Sequence, residues 1–342
     1  MMHAGKLLSG FIAIGLAVGL AGVAYAQSPS EWDQVIAAAK KEGRVVIYSG
    51  APGAPEHREI GKLFEAKYGI RVDVLDGSGS EIQERIRTEV TAGRSNGDVS
   101  HIGGTTQVLL QNYGLLAPHG GVPNRNRLVI QPMVDEELPI YVAAYGIVVN
   151  TQMVKPEDEP KSWRDLLDAK WKGRILSYPF SASGGGATWF GVMQDTFGTG
   201  FHESLAKNTP VFSGSLRENP RRVARGEFPL YIPYSITDIT RNEGLPLKVL
   251  IPEEGLPYTP FSVAIIKGAQ HPNAARLLVN FFLEPEAQLV YARSGNGLAT
   301  GGLEAQVPEA RRWSVFAKLL GRQKLEGQEE RQKLAAKIYE GK

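Results

Sequence analysis

Apolar positions along this chain switch between a period near two and a period near 3.6, in an order that reads strand, helix, strand, helix. A helix over 31–41 is stopped by Gly43, and Arg44-Val-Val-Ile-Tyr-Ser49 is a short β-branched run of the kind that fills a buried strand. Ile60, Leu63, Phe64 and Tyr68 follow at i, i+3, i+4 and i+8, one helical stripe that ends at Gly69. The cycle repeats. Residues 71–75 predict a strand, Asp76-Gly-Ser-Gly79 a turn, and Ile82, Ile86 and Val90 a helix opened by a capping box of Ser80 with Gln83. A third strand over 98–102 runs through Gly103-Gly104-Thr105-Thr106 into a helix carrying Val108, Leu109 and Leu110. Three βα units in succession require right-handed crossovers and a parallel sheet.

The apolar run 140–149 is long for one strand and predicts a segment that leaves one lobe and enters another. A second α/β set follows it. Ser162 caps a short helix through Leu167, 173–178 is a strand, and the small-residue turn 181–186 feeds a helix with Trp189, Phe190, Met193 and Phe197 on one side. A strand over 227–235 carries Tyr231 and Tyr234 near its end, and 257–266 returns the chain toward the first lobe. Helices are predicted over 273–283 and 285–294, and 308–338 is helical by periodicity.

The first residues change the picture of where the protein works. Lys6, the apolar run 11–20 and the small-x-small end Ala24-Tyr25-Ala26 make 1–26 a cleaved secretory signal peptide, so the mature chain is expected in a periplasm. There is no cysteine, which removes disulfides, a lipid-attachment site and every thiol nucleophile. Stability must come from packed apolar area. Without its leader the 342-residue chain still exceeds the ~250–300 residues at which a single core stops growing, so two lobes are expected. The formal net charge of +2, one unit of it in the leader, is too small to imply a nucleic-acid or anionic-membrane partner.

In a parallel sheet the ligand edge lies at the carboxyl ends of the strands, where helix amino termini present unpaired N–H groups. Three small-residue loops fall there: 49–53 with Ser49 and Gly50, 77–80 with Ser78, Gly79 and Ser80, and 103–106 with Thr105 and Thr106. From the second lobe come Ser183, Gly184 and Thr188, a turn without the Gly-Lys-Ser/Thr ending of a nucleotide loop. Tyr231, Tyr234, Ser235 and Tyr258 are expected to close the pocket. Arg217, Arg221, Arg222 and Arg225 are the nearest stronger anion clamps, although a charge run of this kind is more often a solvated face.

The order and spacing of Val45-Val-Ile-Tyr-Ser49, 64–72, Gly77-Ser-Gly-Ser-Glu81, Asp98-Val99, 145–151, 162–166, Trp171-Lys-Gly-Arg-Ile175 and 268–275 before Phe281-Phe282 resemble the solute-binding proteins of ABC importers. The likeness is to the type II periplasmic class, which includes ferric-ion binders and carriers of small organic or phosphorus-containing anions. It implies an α/β two-lobe fold, each lobe a mixed, mostly parallel sheet flanked by helices, joined by hinge strands. Lobe 1 is expected from 27–138 and 261–300, and lobe 2 from 139–260 and 301–342. The implied function is capture of a small anion between closing lobes and delivery to a membrane permease, by a monomer with no cofactor.

Ferric binders of this class use an adjacent Tyr-Tyr pair from the second lobe with a His and a Glu from the first. The ferric alternative here rests on Tyr231, Tyr234 and His57. On a regular strand positions three apart face opposite sides, so both hydroxyls reach one ion only if Pro233 breaks the strand. A periplasmic sensor subunit and an exported enzyme are further alternatives. No Gly-x-Ser-x-Gly elbow, His-Glu-x-x-His helix or other compact catalytic motif is present, so no enzymatic activity is expected.

Overall fold

Every residue of Glu137–Asn150 is buried, as the uninterrupted apolar run demands, and this strand ties the molecule together. A computed structural model describes residues 29–51, 55–182, 184–322 and 324–341. The leader 1–26, the tip of the 49–53 loop and Ser183 lie outside the described residues. In the first half, α1 (Pro29–Glu42), β1 (Arg44–Ser49), α2 (Glu56–Tyr68), β2 (Arg71–Asp76), α3 (Gly79–Thr91), β3 (Val99–Gly103) and α4 (Gly104–Asn112) alternate. The short β4 (Leu116–Ala117) then precedes the long strand, β5 (Glu137–Asn150). The second half runs β6 (Ile175–Ser177), α5 (Gly185–Phe197), α6 (Thr199–Ala206), β7 (Val211–Phe212), α7 (Asn219–Ala224), β8 (Leu230–Ser235) and β9 (Leu247–Leu250). After β10 (Leu256–Ile266) come α8 (Pro272–Phe281), α9 (Pro285–Arg293), β11 (Gly297–Leu298), α10 (Glu309–Val315), β12 (Leu319–Arg322) and α11 (Gln328–Glu340).

The strand order is β2-β1-β3-β10-β5-β8-β6-β7. β1 is parallel to β2 and β3, as three successive βα units require, and β10 enters antiparallel between β3 and β5. β5 changes partners along its length. Glu137 to Ala144 pair with β10, and Tyr145 to Asn150 pair with β8 and β9. Each half therefore belongs to a different lobe. The first core packs Ile47, Phe64 and Val99 against Leu278, Phe281 and Phe282. The second gathers Trp163, Trp171, Trp189, Phe180 and Phe190. The amide of Gln288, fully buried, donates to the carbonyls of Ile140 and Phe282 and accepts from Ala299 N–H, which fixes α9 on β5.

The C-terminal third departs from the predicted continuous helix over 308–338. Leu319–Arg322 forms β12 instead, parallel to the Leu256–Tyr258 end of β10. An open strand edge supplies partners that local periodicity cannot anticipate. Leu303, Val307 and Val315, expected in lobe 2, pack in the first core, whereas Leu334, Ile338 and Tyr339 of α11 pack on the second. The capping box of α3 also stands two residues earlier than predicted. Ser78 accepts from Glu81 N–H and Glu81 accepts from Ser78 N–H at 2.7 Å, because the helix starts at Gly79 and an ionised carboxylate is the better acceptor. Among the described residues no helix is long and apolar enough to cross a membrane.

Asp98, fully buried just before β3, accepts from Val46 N–H at 2.8 Å and from His271 N–H and Nδ1 at 2.9 and 2.8 Å. It links β1 to the start of α8. Asp98→Ala should cost about 3 kcal/mol of unfolding free energy, since it strands these donors without an acceptor. Urea denaturation measures this, and a loss below about 1 kcal/mol would show that the carboxylate is not an anchor.

Candidate functional site

Where β5 passes from one lobe to the other, a cavity of about 350 Å³ opens between them. Its floor is the crossing strand. Tyr141, Ala143 and Tyr145 alternate along β5 and so project to one side. Phe261 of β10 and Glu56 at the start of α2 form the first-lobe wall. The second lobe supplies Tyr178, Gly184 and Gly185 at the entry to α5, Tyr231, Pro233 and Ser235 of β8, and Thr237, Asp238 and Arg241 of the following turn. Leu216 and Asn296 complete the lining.

Local sequence explains how these groups reach one space. Gly184 holds a φ of +87°, in the region that favours glycine, and turns the chain into α5. A Cβ on Gly185 would lie 2.8 Å from the Tyr145 ring, so only glycine lets the helix start approach that side chain. The first turn of α5 thus faces the cavity with N–H groups that the helix itself leaves unpaired. In β8 the ladder to β5 carries one extra residue: Tyr234 opposes Gly146 and Tyr231 opposes Val148. That bulge brings Tyr231 and Tyr234 into one cluster, with ring centroids 6.2 Å apart.

The two tyrosines nonetheless have different surroundings. Tyr231 lines the cavity, whereas Tyr234 is buried beneath it and its oxygen accepts from Asn242 Nδ2 at 3.2 Å. Burial pushes both phenols above their ordinary value, and it raises Tyr145 as well, so these groups stay protonated, and the Tyr145 hydroxyl donates to Thr259 Oγ1. Burial also raises Asp238, against the lowering influence of Arg241, 3.0 Å away, and of Arg217.

Of the residues singled out from sequence, Gly184, Tyr231 and Ser235 meet at this cavity. The other described ones stand elsewhere. The Ser49 hydroxyl lies 3.1 Å from His101 Nδ1, and Gly50 N–H donates to the His101 carbonyl at 2.8 Å. Ser78 caps α3. Ser80 faces a separate shallow groove with Glu81 and Arg85, and neither Gly79 nor Thr105 and Thr106 of α4 reach the lining. Thr188 is buried 3.0 Å from Thr259 Oγ1, which also accepts from the Tyr145 hydroxyl. Tyr258 packs against the cluster of Ile130, Val142 and Ala299. His57 is fully buried, 3.1 Å from Asp76 but poorly aligned for a hydrogen bond, and its ring lies 5.4 Å from His101.

Sequence reading passed over Tyr141, Tyr145, Tyr178, Thr237, Asp238 and Arg241. Only the first pair left a signal: amphipathic rings two positions apart from Ala143, in a run otherwise aliphatic. Among the described residues, no group of three or more His, Cys, Asp or Glu is placed to hold a metal ion.

Two α/β lobes joined by crossing strands, with a solute-sized cavity at the crossing, give the chain the fold of type II periplasmic binding proteins. The family model for bacterial extracellular solute-binding proteins matches residues 45–296, and the chain belongs to that family, the solute-binding proteins of ABC importers. It is 26% identical over 281 residues to an uncharacterized protein of Haemophilus influenzae, covering 77% of this chain and 80% of the relative. It is 25% identical over 245 residues to a putative 2-aminoethylphosphonate-binding periplasmic protein of Salmonella paratyphi A, covering 66% and 68%. In fold it is similar to iron-bound HitA of Pseudomonas aeruginosa, with a TM-score of 0.67 at 22% identity over 86% of this chain and 99% of that one.

His101 gives the first-lobe edge a pH dependence. Burial, aided by His57, lowers its imidazole from 6.5 to about 3. A histidine held neutral in the folded state contributes its stability in full above the unfolded value and loses it as pH falls toward the folded one. Unfolding free energy should therefore decline between pH 6.5 and about 3, and His101→Gln should make that decline shallower. Urea titrations at stepped pH test this, with an identical slope in the variant counting against it.

Proposed function

We propose that this protein, exported and working as a monomer, captures a small organic or phosphorus-containing anion between closing lobes and delivers it to a membrane permease. The observation that carries this reading is the cluster of donors on the second-lobe side of the cavity, which outnumber the carboxylates Glu56 and Asp238 of its lining. Tyr178, Tyr231, Ser235 and Thr237 offer hydroxyls, the start of α5 offers backbone N–H groups, and Arg241 offers a guanidinium, all in one space of about 350 Å³. An acceptor-rich solute matches such a lining. Because the walls come from both lobes, a bound solute stabilises the closed form through contacts that the open form lacks.

Ferric cargo is less well supported. Hard Fe(III) favours anionic oxygen donors, yet Tyr234 lies outside the lining with its oxygen accepting from Asn242, and His57 lies outside the lining as well. Among the described residues, no nucleophile in the cavity is paired with a base that would support catalysis.

Native mass spectrometry of protein purified without refolding should reveal a co-purifying small anion, and small-angle scattering should show compaction when that anion is added back. Tyr178→Phe or Tyr231→Phe should weaken binding about tenfold, the worth of one hydrogen bond to a charged group, while Ser78→Ala should leave it unchanged. Equal effects at all three positions, or a visible iron charge-transfer band without anion-driven compaction, would overturn the reading.

A further inference from the structure

The run Arg217 to Arg225 does not behave as one solvated face. Arg222 and Arg225 are held by Glu227 at 2.8 and 2.9 Å, and Arg225 also by Glu218 at 2.8 Å. Arg217 and Arg221 turn elsewhere. They line a second cavity of about 440 Å³ together with Pro220, Arg241 and Asn242, and this space shares Leu216, Asp238 and Arg241 with the tyrosine-lined cavity. The two spaces are adjoining compartments of one cleft.

Charge in the second compartment is unbalanced. Three guanidinium groups surround it against a single carboxylate, Asp238, which bonds Arg241 at 3.0 Å. The acid near Arg221 is Glu218, at 4.0 Å, and that carboxylate is closer to Arg225. Among the described residues Arg217 has no acid within ion-pair distance. Convergent guanidinium groups match the paired oxygens of a phosphoryl or phosphonyl group better than they match a lone carboxylate or a neutral hydroxyl. Leu216, 53% exposed, stands on the shared edge, where a molecule filling both compartments would cover it.

Resting on the reading of the cleft as an anion site, we propose that the Arg217, Arg221 and Arg241 compartment seats the phosphoryl or phosphonyl group of the solute. The organic body then lies in the tyrosine-lined compartment, and Asp238 acts as a positioning residue that fixes the Arg241 fork at the boundary.

Isothermal titration with inorganic phosphate, methylphosphonate and acetate tests the assignment. Wild-type protein should bind methylphosphonate and phosphate more tightly than acetate. The double variant Arg217→Ala/Arg221→Ala should lose at least about tenfold in affinity for both phosphorus oxyanions. Arg222→Ala/Arg225→Ala controls for general loss of positive charge and should change little, and matching urea midpoints would exclude unfolding. Unchanged affinity in Arg217→Ala/Arg221→Ala, an equal loss in the control, or no wild-type binding of either phosphorus oxyanion at millimolar concentration would overturn the subsite. Phosphate binding without methylphosphonate binding would also overturn it, by identifying a free ion with no organic body as the occupant. If acetate or another carboxylate compacts the protein while the arginine variant is indifferent, the subsite fails and the broader anion reading stands. If no anion compacts it, both fail.

Discussion

One strand belongs to two sheets, and the rest of the molecule is arranged around that constraint. The backbone of β5 bonds to β10 up to Ala144 and to β8 and β9 from Tyr145 onward, with every residue buried. Each buried N–H and C=O left without a partner would cost free energy comparable to a lost hydrogen bond, so neither ladder can slide. Relative motion of the lobes is left with the short stretch where one set of partners gives way to the next. Gly146 stands there, and a Cβ on it would lie 2.8 Å from the Leu250 carbonyl. A bulkier residue would push β9 away from the junction.

The cavity sits on this junction, which couples solute contact to lobe geometry through few intermediaries. Tyr145 is the first residue after the change of lobe; it faces the cavity and donates from its hydroxyl to Thr259 of the returning strand. Thr188 of α5 approaches the same Thr259 oxygen. A side chain of the floor, a side chain of the second lobe and the second crossing strand thus meet at one buried hydroxyl. Movement of α5 relative to β10 must break or remake that contact, so the start of α5, which lines the cavity, is mechanically tied to the crossing.

Local rules account for what was legible from sequence and for what was not. β1, α2 and β5 carry their own patterns, because apolar stripes and β-branched runs depend on neighbours a few residues away. The order of those patterns carried the two-lobed architecture. Small-residue loops were ambiguous for a physical reason: a serine hydroxyl that suits a ligand oxygen also suits a helix cap. Ser78 is consumed by Glu81, and Ser49 is engaged by His101. The cavity walls instead depend on the register of β5 and on one extra residue in β8, which are properties of pairing between distant segments. β12 escaped notice in the same way, since only the free edge of β10 makes 319–322 a strand.

The chemistry of the lining also bears on release, which matters as much to a carrier as capture. A phenolate cage around a cation would hold its cargo by strong ionic bonds that must be broken by competition or reduction. In the proposed function the tyrosine, serine and threonine hydroxyls and backbone N–H groups would hold an anion by hydrogen bonds, each worth about 0.5–1.5 kcal/mol net, or up to about 3 kcal/mol to a charged partner, beside the guanidinium of Arg241. Those donors stand on the second lobe, and the first lobe closes the space over them with Glu56 and Phe261. Prying the lobes apart removes that cover at once and exposes the donors to water, which can replace each in turn. In the proposed function the neutral hydroxyls of β8 therefore serve both halves of the cycle: their protons would grip an anion in the closed form, and β8 itself carries no fixed charge to trap it when the cleft opens.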